Sequence, residues 1–341
     1  MSRKLIITAD DYGYADHIDR GIIKAAKSNC LTSVSCFSNI PRTKLEAKIA
    51  ELKAAKLDIG IGMHLTISSG RPILSGLKSL ITIQKRFPKY HFQKPSQYKF
   101  RKVNLGELER ELRAQIEQLA SIIGLEKIDH LANHHNFLYF YPPFFEIFTD
   151  LAKEYDIPIR SPLNWSKSGK KYYYYKDGNP ITKHAIGTAA LKAAPWKSLL
   201  IALRGVGKHS IEKCIKKCKE KGIRHPYTFM DQIYGQPFLG DWREYWAAIN
   251  EDEVVEQLHH LSDEFSDRDY KNPPWGVNNK YFNGRSDELG TLTSFDCGIY
   301  LAAEQEADNP VVLGTYRDFL DGKAMNYPNN LGGEGRERRI I

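Results

Sequence analysis

The sequence predicts a parallel α/β fold, either a barrel or a doubly wound sheet, and three observations carry that prediction. Strand-like and helix-like segments alternate β-α-β-α-β-α-β-α-β through the first half of the chain, a rhythm that implies parallel strands joined by helical crossovers. Residues with metal-ligand chemistry stand at the ends of three of those strands, where parallel α/β folds place their active sites. No G-x-G-x-x-G follows the first strand, which removes the main support for a dinucleotide site.

The elements follow in order. KLIITA (4–9) is a short buried strand, and residues 17–29 form an amphipathic helix with Ile18, Ile22, Ile23 and Ala26 on one face. LTSVSCF (31–37) is a β-branched strand that turns at Ser38, Asn39 and Pro41 into a helix over 43–56. LDIGIGMHLTI (57–67) is a glycine-rich strand, and residues 68–103, rich in Gly, Pro and Lys, are irregular. A helix capped by Asn104 covers 104–124, and residues 127–137 are strand then loop. The helix over 142–156 has proline in its first turn, and IPIRSP (157–162) is a strand. Residues 163–208 break the rhythm as an insertion, with KYYYYKDGNP (171–180) a loop or hairpin over the mouth of the fold. Helices are expected at 209–222 and 252–265, and RSDELGTLTS (285–294) leads to a last helix near 310–320. This gives a single domain over 1–325, with 326–341 a flexible tail or an oligomer contact.

Composition narrows the function. Of 341 residues, 42% are hydrophobic and 26% charged, enough for a large core in a soluble chain. No apolar run reaches the roughly 18–20 residues of a membrane span. The apolar run before Asp10 is too short for a signal peptide, so a cytoplasmic location is expected. Five cysteines, an odd number, do not make a disulfide framework, and Cys214 and Cys218 read as helix positions, with only His209 nearby to support zinc. The net charge of +8 has much of its excess in 206–224 and 336–340; without a nucleic-acid motif these read as a solvated helix face and a loose tail, and no nucleic-acid or membrane partner is expected.

The candidate chemistry lies at the strand ends. Asp10 and Asp11 close the first strand, His64 closes the third, and His134 and His135 follow the fourth. One carboxylate and two imidazoles are a common set for a catalytic divalent ion. The adjacent carboxylates then have separate uses. One binds the ion, whose charge lets both stay ionised, and the other takes a proton from the attacking water.

ITADDYGYADHIDRGI (7–22), LTSVSCFSN (31–39), IGIGMHLTISSGRP (59–72), DHLANHHNFLYFYPPFF (129–145) and DIPIRSP (156–162) together resemble the YdjC-like carbohydrate deacetylases, which are related in fold to polysaccharide deacetylases. The resemblance implies a deformed, TIM-like (β/α) barrel that removes N-acetyl groups from amino sugars or short N-acetylglucosamine oligosaccharides with one divalent ion. It implies Asp11, His64 and His134 as metal ligands, Asp10 as general base, and Arg160 orienting Asp10 or holding substrate. Zinc or another first-row ion suits the ligands, and magnesium stays open. Tyr12, Asn39, His135 and Tyr173 are the expected substrate contacts, and a homodimer is in keeping with the family. One departure stands out: residues 263–284 hold no histidine to match the family's candidate general acid, and His259 and His260, read as helical, are assigned to packing or the surface. A non-catalytic carbohydrate-binding relative and another metal-dependent sugar enzyme remain the alternatives.

Overall fold

The computed structural model describes residues 2–83, 90–93, 97–139, 141–163, 165–168, 171–174, 211–231, 239–247, 249–251, 253–264 and 279–323. Its centre is β1 (Arg3–Tyr12), where Leu5, Ile6, Ile7 and Ala9 are fully buried, as in a parallel strand covered on both faces. The first half follows the expected alternation: α1 (Asp16–Lys27), β2 (Ser33–Cys36), α2 (Arg42–Ala55), β3 (Gly60–Leu65), then α3 (Leu105–Ile123), with β6 (Ile128–Asn133) and α4 (Pro142–Glu154) after it. Ile18, Ile22 and Ala26 lie on the buried face of α1, and the Asn104 side chain accepts from the Glu107 amide to start α3. Between β3 and α3 the segment read as irregular holds a short antiparallel pair, β4 (Ile81–Ile83) and β5 (Tyr90–Phe92).

In the second half, β7 (Trp165–Ser168) and β8 (Lys171–Tyr174) form the hairpin expected in the insertion, one strand earlier than KYYYYKDGNP alone indicates; residues 175–208 and the tail 326–341 lie outside the described residues. There follow α5 (Ile211–Lys221), β9 (Thr228–Asp231), α6 (Leu239–Ala247), β10 (Val254–His259), α7 (Asn279–Leu292), α8 (Phe295–Glu306), β11 (Val311–Leu313) and α9 (Tyr316–Leu320). Cys214 and Cys218, one turn apart on α5, are both buried as thiols and not joined in a disulfide.

The main sheet runs β6-β3-β2-β1-β10-β9, with every pair parallel. β10 pairs with β1 from Lys4 to Ala9, so β2, pairing from Thr8, and β11, pairing at Arg3–Leu5, share the opposite edge of β1. The strand expected at 157–162 survives only as a parallel bridge between Leu131 and Ile159. This short stretch nevertheless bonds on both sides. Leu131 N donates to Pro158 O (2.8 Å) and Arg160 N to Leu131 O (3.0 Å); on the far side Ile159 N donates to Arg224 O (2.9 Å) and Phe229 N to Leu163 O (3.0 Å). The curled sheet thus meets its other edge through residues 158–163, and the fold is a deformed (β/α) barrel.

The helix expected over 252–265 is a correction: Val254–His259 is a strand. Val254, Val255, Leu258 and Leu261 match a helical face, but in β10 every residue from Val255 to His259 is buried. A strand enclosed on both faces loses its period-two alternation, and two consecutive valines were the remaining β signal.

The glycines of β3 make room for polar side chains from β6. A Cβ on Gly62 would lie 2.2 Å from the His130 ring, and one on Gly60 2.6 Å from Asp129 Oδ2. His130 lies 3.0 Å from Asp129 Oδ2 through Nδ1 and 2.9 Å from Ser35 Oγ through Nε2, and stacks on Tyr316 with centroids 4.2 Å apart. Gly62→Ala should therefore cost about 1–3 kcal/mol by overpacking. In urea titrations, adding His130→Ala should cost less in that background than in the wild type, because the clash is with that ring.

Candidate metal centre

The adjacent aspartates depend on a bulge in β1. Ala9 pairs with Val34 and Tyr12 with Cys36, three residue steps against two, so β1 carries one extra residue there. Asp11 takes the left-handed backbone conformation (φ 76°). In a regular strand neighbouring side chains point to opposite faces; here both carboxylates approach one imidazole, with His64 Nδ1 3.7 Å from Asp10 Oδ2 and His64 Nε2 3.2 Å from Asp11 Oδ1. The turn beyond is fastened by Gly13 (φ 93°), whose amide donates to Asp19 Oδ1 at 2.6 Å, and by Tyr14 N donating to Asp11 O at 3.0 Å.

β3 delivers His64, and β6 ends at Asn133, one residue before His134. The chain then turns through His135 and Asn136, both at positive φ, and Asn133 Oδ1 accepts from Leu138 N (2.9 Å). Three atoms converge. Asp11 Oδ1 lies 3.2 Å from His64 Nε2 and 3.2 Å from His134 Nδ1, and the two nitrogens are 3.1 Å apart. The Phe37 ring stands edge-on to both imidazoles at 5.0 Å and backs the site with apolar surface. Asp11 Oδ1 is buried and takes part in no well-formed hydrogen bond. An orphaned carboxylate oxygen facing two imidazole nitrogens fits a divalent ion, and the donor set suits zinc or another first-row metal. Burial raises the Asp11 carboxyl, but Arg285, His134 and His64 outweigh it and hold the group well below the usual carboxylate range. Burial also pushes His134 down, against the pull of Asp11, which favours the neutral imidazole that a metal requires.

Behind the triangle sits a buried charge relay. Arg160 Nη1 donates to Asp10 Oδ2 (2.7 Å) and Nη2 to Asp10 Oδ1 (2.9 Å), a bidentate pair. The same guanidinium donates through Nε to both oxygens of Glu256 at 3.1 Å and through Nη2 to Oε1 at 2.8 Å. Arg160 is 1% exposed and Glu256 0%, so Arg160 orients Asp10 from within the core. Burial raises the Asp10 carboxyl, but Arg160, with His64 and His260, outweighs it and keeps the group well below the usual range.

Asp10, Asp11, His64, His134 and Arg160 are thus brought together. Other residues expected at the site lie elsewhere or at its margin. Tyr12 is fully buried, and its hydroxyl donates to Lys48 O (2.8 Å), tying β1 to α2. Asn39 donates to Ser69 O and Arg71 O, both at 3.0 Å, and braces that loop. His135 is exposed beside His134, its Nδ1 3.1 Å from Ser68 Oγ. Tyr173 pairs with Ser166 in the hairpin.

The sequence reading gave three residues of the site region no role there. Glu256 lay hidden in the misread β10. Arg285 donates to Asp11 Oδ2 (2.5 Å) across 274 positions, a distance no local pattern reveals. His260 directly follows the C-terminal end of β10, half-buried, and its charge acts on Asp10. Its neighbour His259 is a packing residue, as expected, fully buried and bonded to Gln257 (2.9 Å) and Glu288 (2.8 Å).

A curled parallel barrel that gathers a carboxylate and two imidazoles at its strand ends defines a barrel protein with a metal-type site. Within that class the chain belongs to the YdjC-like family, whose model, described as YdjC-like protein, matches residues 4–301. A carbohydrate deacetylase from Geobacillus stearothermophilus is 32% identical over 160 residues, 47% of this chain and 60% of the relative. One from Halalkalibacterium halodurans is 34% identical over 173 residues, 50% of this chain and 68% of the relative. One from Xenopus laevis is 27% identical over 235 residues, 64% of this chain and 72% of the relative. The match thus spans about three fifths of the first relative's length. A solved structure from Enterococcus faecalis V583, named for cellobiose-phosphate cleavage, superposes over 94% of this chain and 100% of its own with a TM-score of 0.66 at 21% identity, a likeness of fold.

Arg160→Met leaves two buried carboxylates without their cation. It should destabilise the protein by about 3–5 kcal/mol, read from denaturant midpoints at neutral pH.

Proposed function

We propose that the protein is a metal-dependent hydrolase that removes N-acetyl groups from amino sugars or short N-acetylglucosamine oligosaccharides. The observation that carries this reading is the Asp11–His64–His134 triangle with a separate, ionised Asp10 beside it; the relatives named carbohydrate deacetylase supply the substrate class. A divalent ion held by Asp11, His64 and His134 supplies Lewis-acid polarisation of the acetamide carbonyl and makes water more acidic.

The chain's own groups carry the rest. Asp10 accepts the proton of the attacking water, and Arg160, gripping both its oxygens from behind, fixes the direction from which it does so. As the C–N bond breaks, the leaving nitrogen needs a proton. His260, at the strand end and within electrostatic reach of Asp10, is the donor we assign. Acetate and the free amine result. His135, exposed beside His134, fits a substrate contact, whereas Tyr12 and Asn39 brace the scaffold. The hairpin carrying Tyr173 stays a candidate sugar contact.

Purified protein should release acetate from N-acetylglucosamine oligosaccharides. A chelator should abolish release, and added divalent metal should restore it. Oligosaccharide binding without acetate from metal-loaded protein would instead identify a carbohydrate-binding relative.

Asp10→Asn should keep metal uptake and lose about 10²–10⁴-fold in kcat, the usual scale for a general base. His260→Ala should lower kcat by a similar factor with metal uptake intact. Unchanged turnover in either variant would remove that residue from its role.

A further inference from the structure

The fold uses the two oxygens of Asp11 differently. Oδ1 faces His64 Nε2 and His134 Nδ1, each at 3.2 Å. Oδ2 receives Arg285 Nη2 at 2.5 Å. Arg285 is 4% exposed, and its helix is fixed against the strand end opposite. Three residues further along α7, and so on nearly the same face, Glu288 Oε1 lies 2.8 Å from His259 Nδ1 and accepts from the His260 amide at 3.3 Å. Ser286 Oγ also donates to Ser262 O (3.2 Å). The guanidinium therefore meets Asp11 from a braced helix.

We infer that Arg285 is a positioning residue of the metal centre: by occupying Oδ2 it turns Oδ1 toward the histidines as the single ligating oxygen of Asp11. The inference rests on the metal-binding reading above. Two effects of Arg285 oppose each other. Its charge repels a nearby dication, but its hydrogen bond also aims a buried carboxylate. The orienting effect dominates, because a guanidinium seated on Oδ2 leaves Oδ1 as the oxygen that faces both imidazoles, each 3.2 Å away. Partners that orient metal ligands typically govern affinity by 10–100-fold.

The test is Zn²⁺ affinity of the full chain, measured by competition with a chromophoric chelator, for wild type, Arg285→Met, Arg285→Lys and Ser286→Ala. Arg285→Met should bind about 10–100-fold more weakly. Arg285→Lys, which keeps a cation, should recover part of the loss. Ser286→Ala loosens the same helix without touching Asp11 and should bind as wild type does, which separates positioning from simple helix packing. Thermal unfolding of the metal-free proteins checks folding; if Arg285→Met does not fold, Arg285→Lys against Ser286→Ala makes the same comparison. Wild-type affinity in Arg285→Met, or equal losses in Arg285→Lys and Ser286→Ala, overturns the inference. Failure of the wild type to bind any divalent metal overturns the metal reading itself, and this inference with it.

Discussion

The site depends on one extra residue. Without the bulge between Ala9 and Tyr12, Asp10 and Asp11 would point to opposite faces of β1, and only one could reach His64. The bulge holds a non-glycine residue at φ 76°, a conformation that costs free energy, and it persists because the surroundings hold it. The Asp19 carboxylate takes the Gly13 amide, Lys48 pairs with Asp19, and the Tyr12 hydroxyl rests on the Lys48 carbonyl. Two helices thus clamp a strained strand end that presents two carboxylates together.

Presenting them together creates a charge problem, which residues from later in the chain address. Asp10, Asp11 and Glu256 bring three carboxylates into the core, and Arg160 and Arg285 bring two guanidinium groups, leaving one negative charge among these five. Arg160 joins Asp10 to Glu256, while Arg285 engages Asp11. Each aspartate thus has its own cation: Arg160 grips both oxygens of Asp10, including the one nearer His64, and Arg285 takes the Asp11 oxygen turned from the histidines. A dication between Asp11, His64 and His134 would supply the compensating charge that this arrangement favours.

What the sequence revealed follows from how local its signals were. Asp10, Asp11, His64 and His134 each close a first-half strand with a clear apolar pattern, so their convergence could be reasoned from strand ends alone. The elements around β10 could not. Glu256 and Gln257 are polar yet buried, satisfied by Arg160 and by Trp246 and His259, and they erase the pattern that marks a strand. Losing that strand also hid the position of His260. Tyr12 misled for a related reason: beside two site residues, it belongs by the twist of the bulge to the packed side of β1.

One helix links the two ends of the proposed reaction. α1 begins just after the aspartates, and its Asp19 fixes the Gly13 turn. In the same first turn, the loop after His260 lies directly on it. The Asp263 amide donates to His17 O at 2.9 Å, and His17 Nδ1 sits 2.8 Å from Ser262 Oγ. The approach is close enough that a Cβ on Gly21 would meet the Asp263 amide and the Ser262 backbone at 2.7 Å. The separation between Asp10 and His260 is set by the ladder itself, since Ala9 and His259, one residue before each, are paired partners, and α1 braces the two strand ends. Taking a proton from the attacking water and giving one to the leaving nitrogen needs acceptor and donor at a fixed spacing, and the paired strands with α1 across their ends give the fold a rigid frame on which to hold it.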